Sequence, residues 1–151
     1  MKEIFSETIA MLSQKAKEGF IIGIAIGLSV VAISQIIHGI LPDLTFTKTA
    51  KLAEFVGAIL VAIYCLLYCG KQLEKTVKFL VLLFFVAINI ISIPLIRGLI
   101  LYKLLGCDPN ESACYSLIND SISYMISYAI ICVFAGSTIE IYYKLLEDKS
   151  N

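Results

Sequence analysis

The chain has 151 residues, of which 59% are apolar and only 16% charged, with a mean hydropathy of +0.89. A soluble domain carries about a quarter of its residues as charges, so this composition excludes one, together with a disordered chain and a coiled coil. Twelve Lys and Arg balance twelve Asp and Glu, which excludes the basic excess that direct nucleic-acid binding needs.

Residues 2–17 (KEIFSETIAMLSQKAK) repeat apolar groups with a helical period. Ile4, Phe5, Ile9, Met11, Leu12 and Ala16 share less than half the circumference, opposite Glu3, Glu7, Gln14 and Lys17. Two arrangements fit this amphipathic helix. It lies along the inner membrane surface or against a cytosolic partner, or it simply extends the first membrane helix. A transmembrane helix needs about 20 apolar residues. The first such run is 20–41, uncharged and stopped by Pro42; the second is 52–69, with Glu54 near its start. The third, 79–101, contains Asn89, Pro94 and Arg97, and the fourth, 121–143, is rich in Ser and Tyr. These runs are continuous rather than alternating, which excludes a β-barrel. The first is too long for a cleavable signal peptide, and three more follow it. The expectation is an all-α polytopic membrane protein, a single domain (1–151) of four transmembrane helices with an N-terminal amphipathic helix.

Lys and Arg in short loops set the orientation. One side holds eight (Lys2, Lys15, Lys17, Lys71, Lys75, Lys78, Lys144 and Lys149), whereas Lys48, Lys51, Arg97 and Lys103 make four on the other. Both termini are therefore expected in the cytosol. Cys107 and Cys114 bracket the polar loop GCDPNESAC on the side assigned as outer. An oxidising compartment there permits a disulfide, which on the loop-entropy estimate stabilises by about 2–3 kcal/mol. Cys65, Cys69 and Cys132 fall in apolar helix and read as packing residues.

Gly19, Gly23 and Gly27 recur every fourth residue and share one helix face. Small residues at that spacing allow two backbones to approach closely in lipid. The face serves either contact between copies, making helix one part of a homo-oligomer interface, or packing within the chain against Gly57, Ala58 and Ala62 of the second run. At about 1.5 Å per residue, His38, Glu54, Arg97 and Asp120 all reach the outer interfacial level, one from each helix. They form either a polar cluster in which Arg97 pairs with Glu54 or Asp120, or four independent side chains snorkelling at a tolerant depth. Ser116, Ser123, Tyr124, Ser127 and Tyr128 recur at helical spacing along the fourth helix, as a wet path or as interhelical hydrogen bonds.

No HExxH, CxxC or GxSxG occurs, so no catalytic residue, metal ligand or cofactor is expected. Quinone-linked disulfide oxidases need an outer CxxC, whereas Cys65 and Cys69 are spaced CxxxC at the inner end of the second run. Small multidrug transporters need a Glu inside helix one, where this chain has Gln35 and His38. Two wider classes stay open, an oligomeric sensor or scaffold that recruits a cytosolic effector, and an oligomeric channel or holin-like pore. Size, four spans, the absence of a catalytic motif and the Ile- and Lys-rich usage of an AT-rich bacterial gene carry a further likeness. In these features the chain resembles KwaA, the membrane-subunit family of the bacterial Kiwa anti-phage defence system. The resemblance is architectural, covers the whole chain and rests on no motif. It implies a homo-oligomer, a tetramer, in the bacterial inner membrane, sensing infection with the cytosolic DNA-binding partner KwaB.

Overall fold

The structure is a computed structural model that describes residues 2–69, 75–108 and 116–150. These form four helices, α1 (Lys2–Ile40), α2 (Phe46–Cys69), α3 (Lys75–Lys103) and α4 (Leu117–Ser150). Each contains a run long and apolar enough to cross a membrane: Phe5–Ile40, Thr47–Leu67, Lys78–Lys103 and Leu117–Tyr142. Large apolar side chains such as Phe20, Phe84, Leu95, Leu99 and Phe134 point outward, a surface that water would penalise and lipid accepts. The chain is an all-α, multi-pass membrane protein.

Local chemistry explains where the helices stop. Pro42 disfavours helical geometry in the residue before it, and α1 ends at Ile40. The Thr45 carbonyl accepts from the Lys48 and Thr49 amides at 2.9 and 3.1 Å and starts α2. After α3, Gly106 adopts a left-handed φ of 62°, which a side chain would disfavour. The turn brings the Cys107 amide onto the Leu101 carbonyl at 2.9 Å. Ser116 caps α4, its Oγ accepting from the Asn119 amide at 3.2 Å.

α1 is unbroken from Lys2, so the amphipathic segment is an extension of the first membrane helix. The covered stripe differs from the one that its apolar residues suggest. Thr8, Leu12 and Lys15 are partly covered, while Phe5, Ile9 and Met11 are exposed. The face is set from below: stepping back from Gly19 by three or four residues reaches Lys15, Leu12 and Thr8, which continue the contact with α4.

That contact is the tightest in the bundle, and it corrects the expectation that the glycine face joins copies or packs on α2. The face is occupied by α4 of the same chain. A Cβ on Gly19 would stand 2.8 Å from the Cys132 carbonyl oxygen, one on Gly23 2.5 Å from that of Tyr128, and one on Gly27 2.7 Å from that of Tyr124. Gly19, Gly23 and Gly27 thus lie opposite Val133, Ala129 and Met125, whose Cα atoms are among their nearest neighbours, in constant antiparallel register. Dispersion supplies the attraction, because two helices in lipid gain nothing from leaving it. Gly57 on α2 has another task, since it leaves the space into which the Tyr128 ring and Val30 project.

The core between the helices is built from Ile26, Val30, Val61, Cys65, Ile93, Tyr128 and Cys132, all buried. α2 and α4 meet across its middle, and α1 and α3 barely touch. α4 is the most enclosed helix and α3 the least, with 50% against 12% of their apolar windows buried.

Because the groups facing Gly23 are backbone atoms, they cannot step aside for a methyl. Gly23→Ala is expected to destabilise by about 1–3 kcal/mol through overpacking, read as a lower melting temperature in detergent. Gly98→Ala, where nothing lies within 4 Å, should leave the melting temperature unchanged or raise it. Equal effects at the two positions would contradict the close α1–α4 contact.

Candidate functional site

Arg97 projects from α3, one turn beyond Pro94, and three helices converge on it. Its Nη2 pairs with Asp120 Oδ1 from the first turn of α4. Its Nη1 stands 3.8 Å from Glu54 Oε1 on α2, and its Nε donates to Ser123 Oγ at 3.3 Å. The guanidinium also lies over the Tyr124 ring, 4.3 Å from its centre, a cation–π contact. The Tyr124 hydroxyl donates to Glu54 Oε1 at 2.9 Å. The Arg97, Glu54 and Asp120 side chains are only 11%, 12% and 8% exposed.

Each group arrives for a local reason. Asp120 sits in the first turn of α4, where the helix dipole favours a negative charge. Tyr124 follows it by one turn on the same face. Ser123 links side chain to backbone, accepting from Arg97 and donating to the Asp120 carbonyl at 3.0 Å. One turn deeper, Tyr128 stacks beside Tyr124, with ring centres 6.3 Å apart, and its hydroxyl donates to the Glu54 carbonyl at 3.4 Å. The tyrosines make interhelical bonds. Ser127 instead donates to the Ser123 carbonyl within its own helix, at 2.6 Å. Ser116, at the head of α4, is exposed.

Of the four residues placed at this depth by sequence, the structure brings together Glu54, Arg97 and Asp120. His38 is exposed in the last turn of α1 and is not among the described residues that contact Arg97. Depth along a helix does not determine azimuth, and α1 turns its tight face to α4. Tyr124 is a member of the cluster that sequence reasoning left in a separate serine–tyrosine row; its one-turn offset from Asp120 was the available signal.

Asn89 is buried in α3, its Nδ2 donating to the Phe85 carbonyl at 2.6 Å, with no partner for Oδ1 among the described residues. Cys65 and Cys132 are buried thiols. Cys107 is partly covered and its Sγ lies 3.6 Å from Asn119 Nδ2, whereas its expected partner Cys114 lies outside the described residues. Among the described residues no group of three or more His, Cys, Asp or Glu stands close enough to hold a metal ion.

Beside the cluster is a cleft of about 460 Å³ between α2 and α3, lined on α2 by residues from Thr47 to Phe55, among them Ala50, Lys51 and Glu54, and on α3 by Ile90, Pro94 and Arg97. It combines an apolar wall with buried charge. No protein-family model matches the chain, and neither a curated protein nor a solved structure matches it.

Removing one member of a buried pair strands the other, at a cost of about 3–5 kcal/mol. Arg97→Leu is therefore expected to lower the melting temperature in detergent sharply, and Tyr124→Phe to cost about 1 kcal/mol. In double-variant cycles the coupling of Arg97→Leu with Asp120→Asn should exceed that with Glu54→Gln, because Asp120 makes the closer contact. An unaltered melting temperature for Arg97→Leu would show that the cluster carries no stability.

Proposed function

We propose that the protein is a non-enzymatic, oligomeric membrane scaffold or sensor subunit that recruits a cytosolic effector. The observation that supports this most strongly is the pairing of α1 and α4 beyond the thickness of a bilayer. Their 39 and 34 residues extend about 58 and 51 Å, against a hydrocarbon core of about 30 Å. Lys144 Nζ donates to Thr8 Oγ1 at 2.8 Å, so the overhanging ends continue side by side as a two-helix stalk. Each overhang carries exposed apolar residues one turn apart, Phe5 and Ile9 on α1 and Ile141 and Leu145 on α4. Such pairs suit a partner helix or domain that covers them. The lysines around this end support a cytosolic stalk, hence both termini inside and the inner membrane of a bacterium.

The Kiwa-like architecture supports the same reading, with a tetramer as the assembly and a KwaB-like protein as the effector. The glycine face is taken up by α4, so copies meet through other surfaces. At the outer end, the Cys107–Cys114 disulfide is part of the proposal. A pore lined by α4 has less support, because Ser123, Tyr124, Ser127 and Tyr128 turn into their own bundle.

Mass spectrometry of the full chain, purified without reductant, should give several copies under native conditions. Each denatured chain should be lighter by the two hydrogens that one disulfide removes. A soluble KwaB-like protein should sediment with proteoliposomes that hold the chain, and Phe5→Asp with Leu145→Asp should abolish this at an unchanged melting temperature. A monodisperse monomer contradicts the assembly, and sedimentation unaffected by the two substitutions contradicts the stalk as the docking surface.

A further inference from the structure

The cleft between α2 and α3 has unused hydrogen-bonding capacity of both signs. Arg97 spends Nε on Ser123 and Nη2 on Asp120, but among the described residues Nη1 has only the 3.8 Å approach to Glu54 and no hydrogen bond. Glu54 receives its Tyr124 bond at Oε1, which leaves Oε2 without a hydrogen bond among the described residues. Lys51 and Thr47, at the mouth, are exposed and engage none of the described residues in an ion pair or hydrogen bond. Pro94 has no amide hydrogen, so the Ile90 carbonyl one turn before it loses its helical donor, and both residues line the cleft.

The opening faces lipid. Phe55, Ile90 and Pro94 on its wall are exposed on the outside of the bundle. Arg97 lies six residues before the end of α3 at Lys103, about 9 Å along the axis, near the boundary between headgroups and acyl chains. An occupant therefore needs an anionic group for Lys51 and Arg97, adjacent donors for Glu54 and the Ile90 carbonyl, and an apolar tail for the wall.

Charge selects among lipids. Lys51 and Arg97 are balanced by Glu54 and Asp120, so a net-neutral headgroup leaves the site neutral, whereas an anionic one adds an uncompensated charge in a poorly hydrated layer. A choline headgroup is neutral but its quaternary nitrogen has no N–H to donate. We propose that this cleft is a binding site for an aminophospholipid of the phosphatidylethanolamine class. Its phosphate lies on Lys51 and Arg97 Nη1, its ammonium donates to Glu54 Oε2 and the Ile90 carbonyl, and an acyl chain runs along Phe55 and Pro94.

The test uses the full chain in nanodiscs of equal parts phosphatidylethanolamine, phosphatidylglycerol and phosphatidylcholine, released into native mass spectrometry. Phosphatidylethanolamine should be the retained lipid. Lys51→Gln removes one charge-assisted contact at the mouth and should weaken retention roughly tenfold. Ala50→Trp, which fills the cleft without altering charge, should abolish it. Both positions lie outside the ion cluster, and an unchanged melting temperature in each variant separates lost binding from lost fold. A preference for phosphatidylglycerol would make this a plain anion site and overturn the assignment. Equal retention of the three lipids, or undiminished retention by Ala50→Trp, would overturn it as well.

Discussion

A guanidinium cannot shed its charge at any accessible pH, and its five N–H groups point in a fixed planar fork. Once Arg97 lies inside the helix bundle, the surrounding structure has to supply acceptors in matching directions. Asp120 and Ser123 on α4 take one edge and Glu54 on α2 stands beside the other, with the Tyr124 ring across the face. These demands fix the height of α2, α3 and α4 against one another. An apolar trio of similar volume could pack as stably, but it would tolerate sliding by a residue or a turn. The cluster therefore contributes register more than net stability.

The fourth helix is held by different physics. α1 brings no charge to the cluster, and its glycine face lies so close to the α4 backbone that no side chain fits between them. The pair continues toward the opposite end of the bundle, where Lys144 donates to Thr8. α4 is common to both arrangements, which accounts for its being the most enclosed helix. A displacement of α4 at the ion cluster would be felt at the far end of the α1–α4 stalk, because the two helices share one unbroken contact. This continuity is what a subunit needs if events at one membrane face are to reach a partner at the other.

The four helices were legible in the sequence because crossing a bilayer demands a length of apolar chain that few other structures require. Arg97, Glu54 and Asp120 were legible by depth, which a rise per residue gives directly. Azimuth was not, and His38 and the partner of Gly19, Gly23 and Gly27 depended on it. Glycine spacing states that a backbone comes close without saying which backbone. The N-terminal segment fits one of the two arrangements its sequence left open, an extension of the first membrane helix, and its side facing α4 is inherited from Gly19 below rather than set by the apolar stripe at Phe5 and Ile9. The cleft was hidden because it needs Pro94 of one helix beside Lys51 of another.

Exchanging the charges of Arg97 and Asp120 tests the central claim most directly, with thermal unfolding of the full chain in detergent as the measurement. Arg97→Asp alone sets three carboxylates together and should yield no folded, monodisperse protein. Adding Asp120→Arg restores opposite charges and should recover the fold. The recovery should be partial, because a guanidinium at the head of α4 opposes the helix dipole. A melting temperature for Arg97→Asp equal to that of the parent chain would contradict the account.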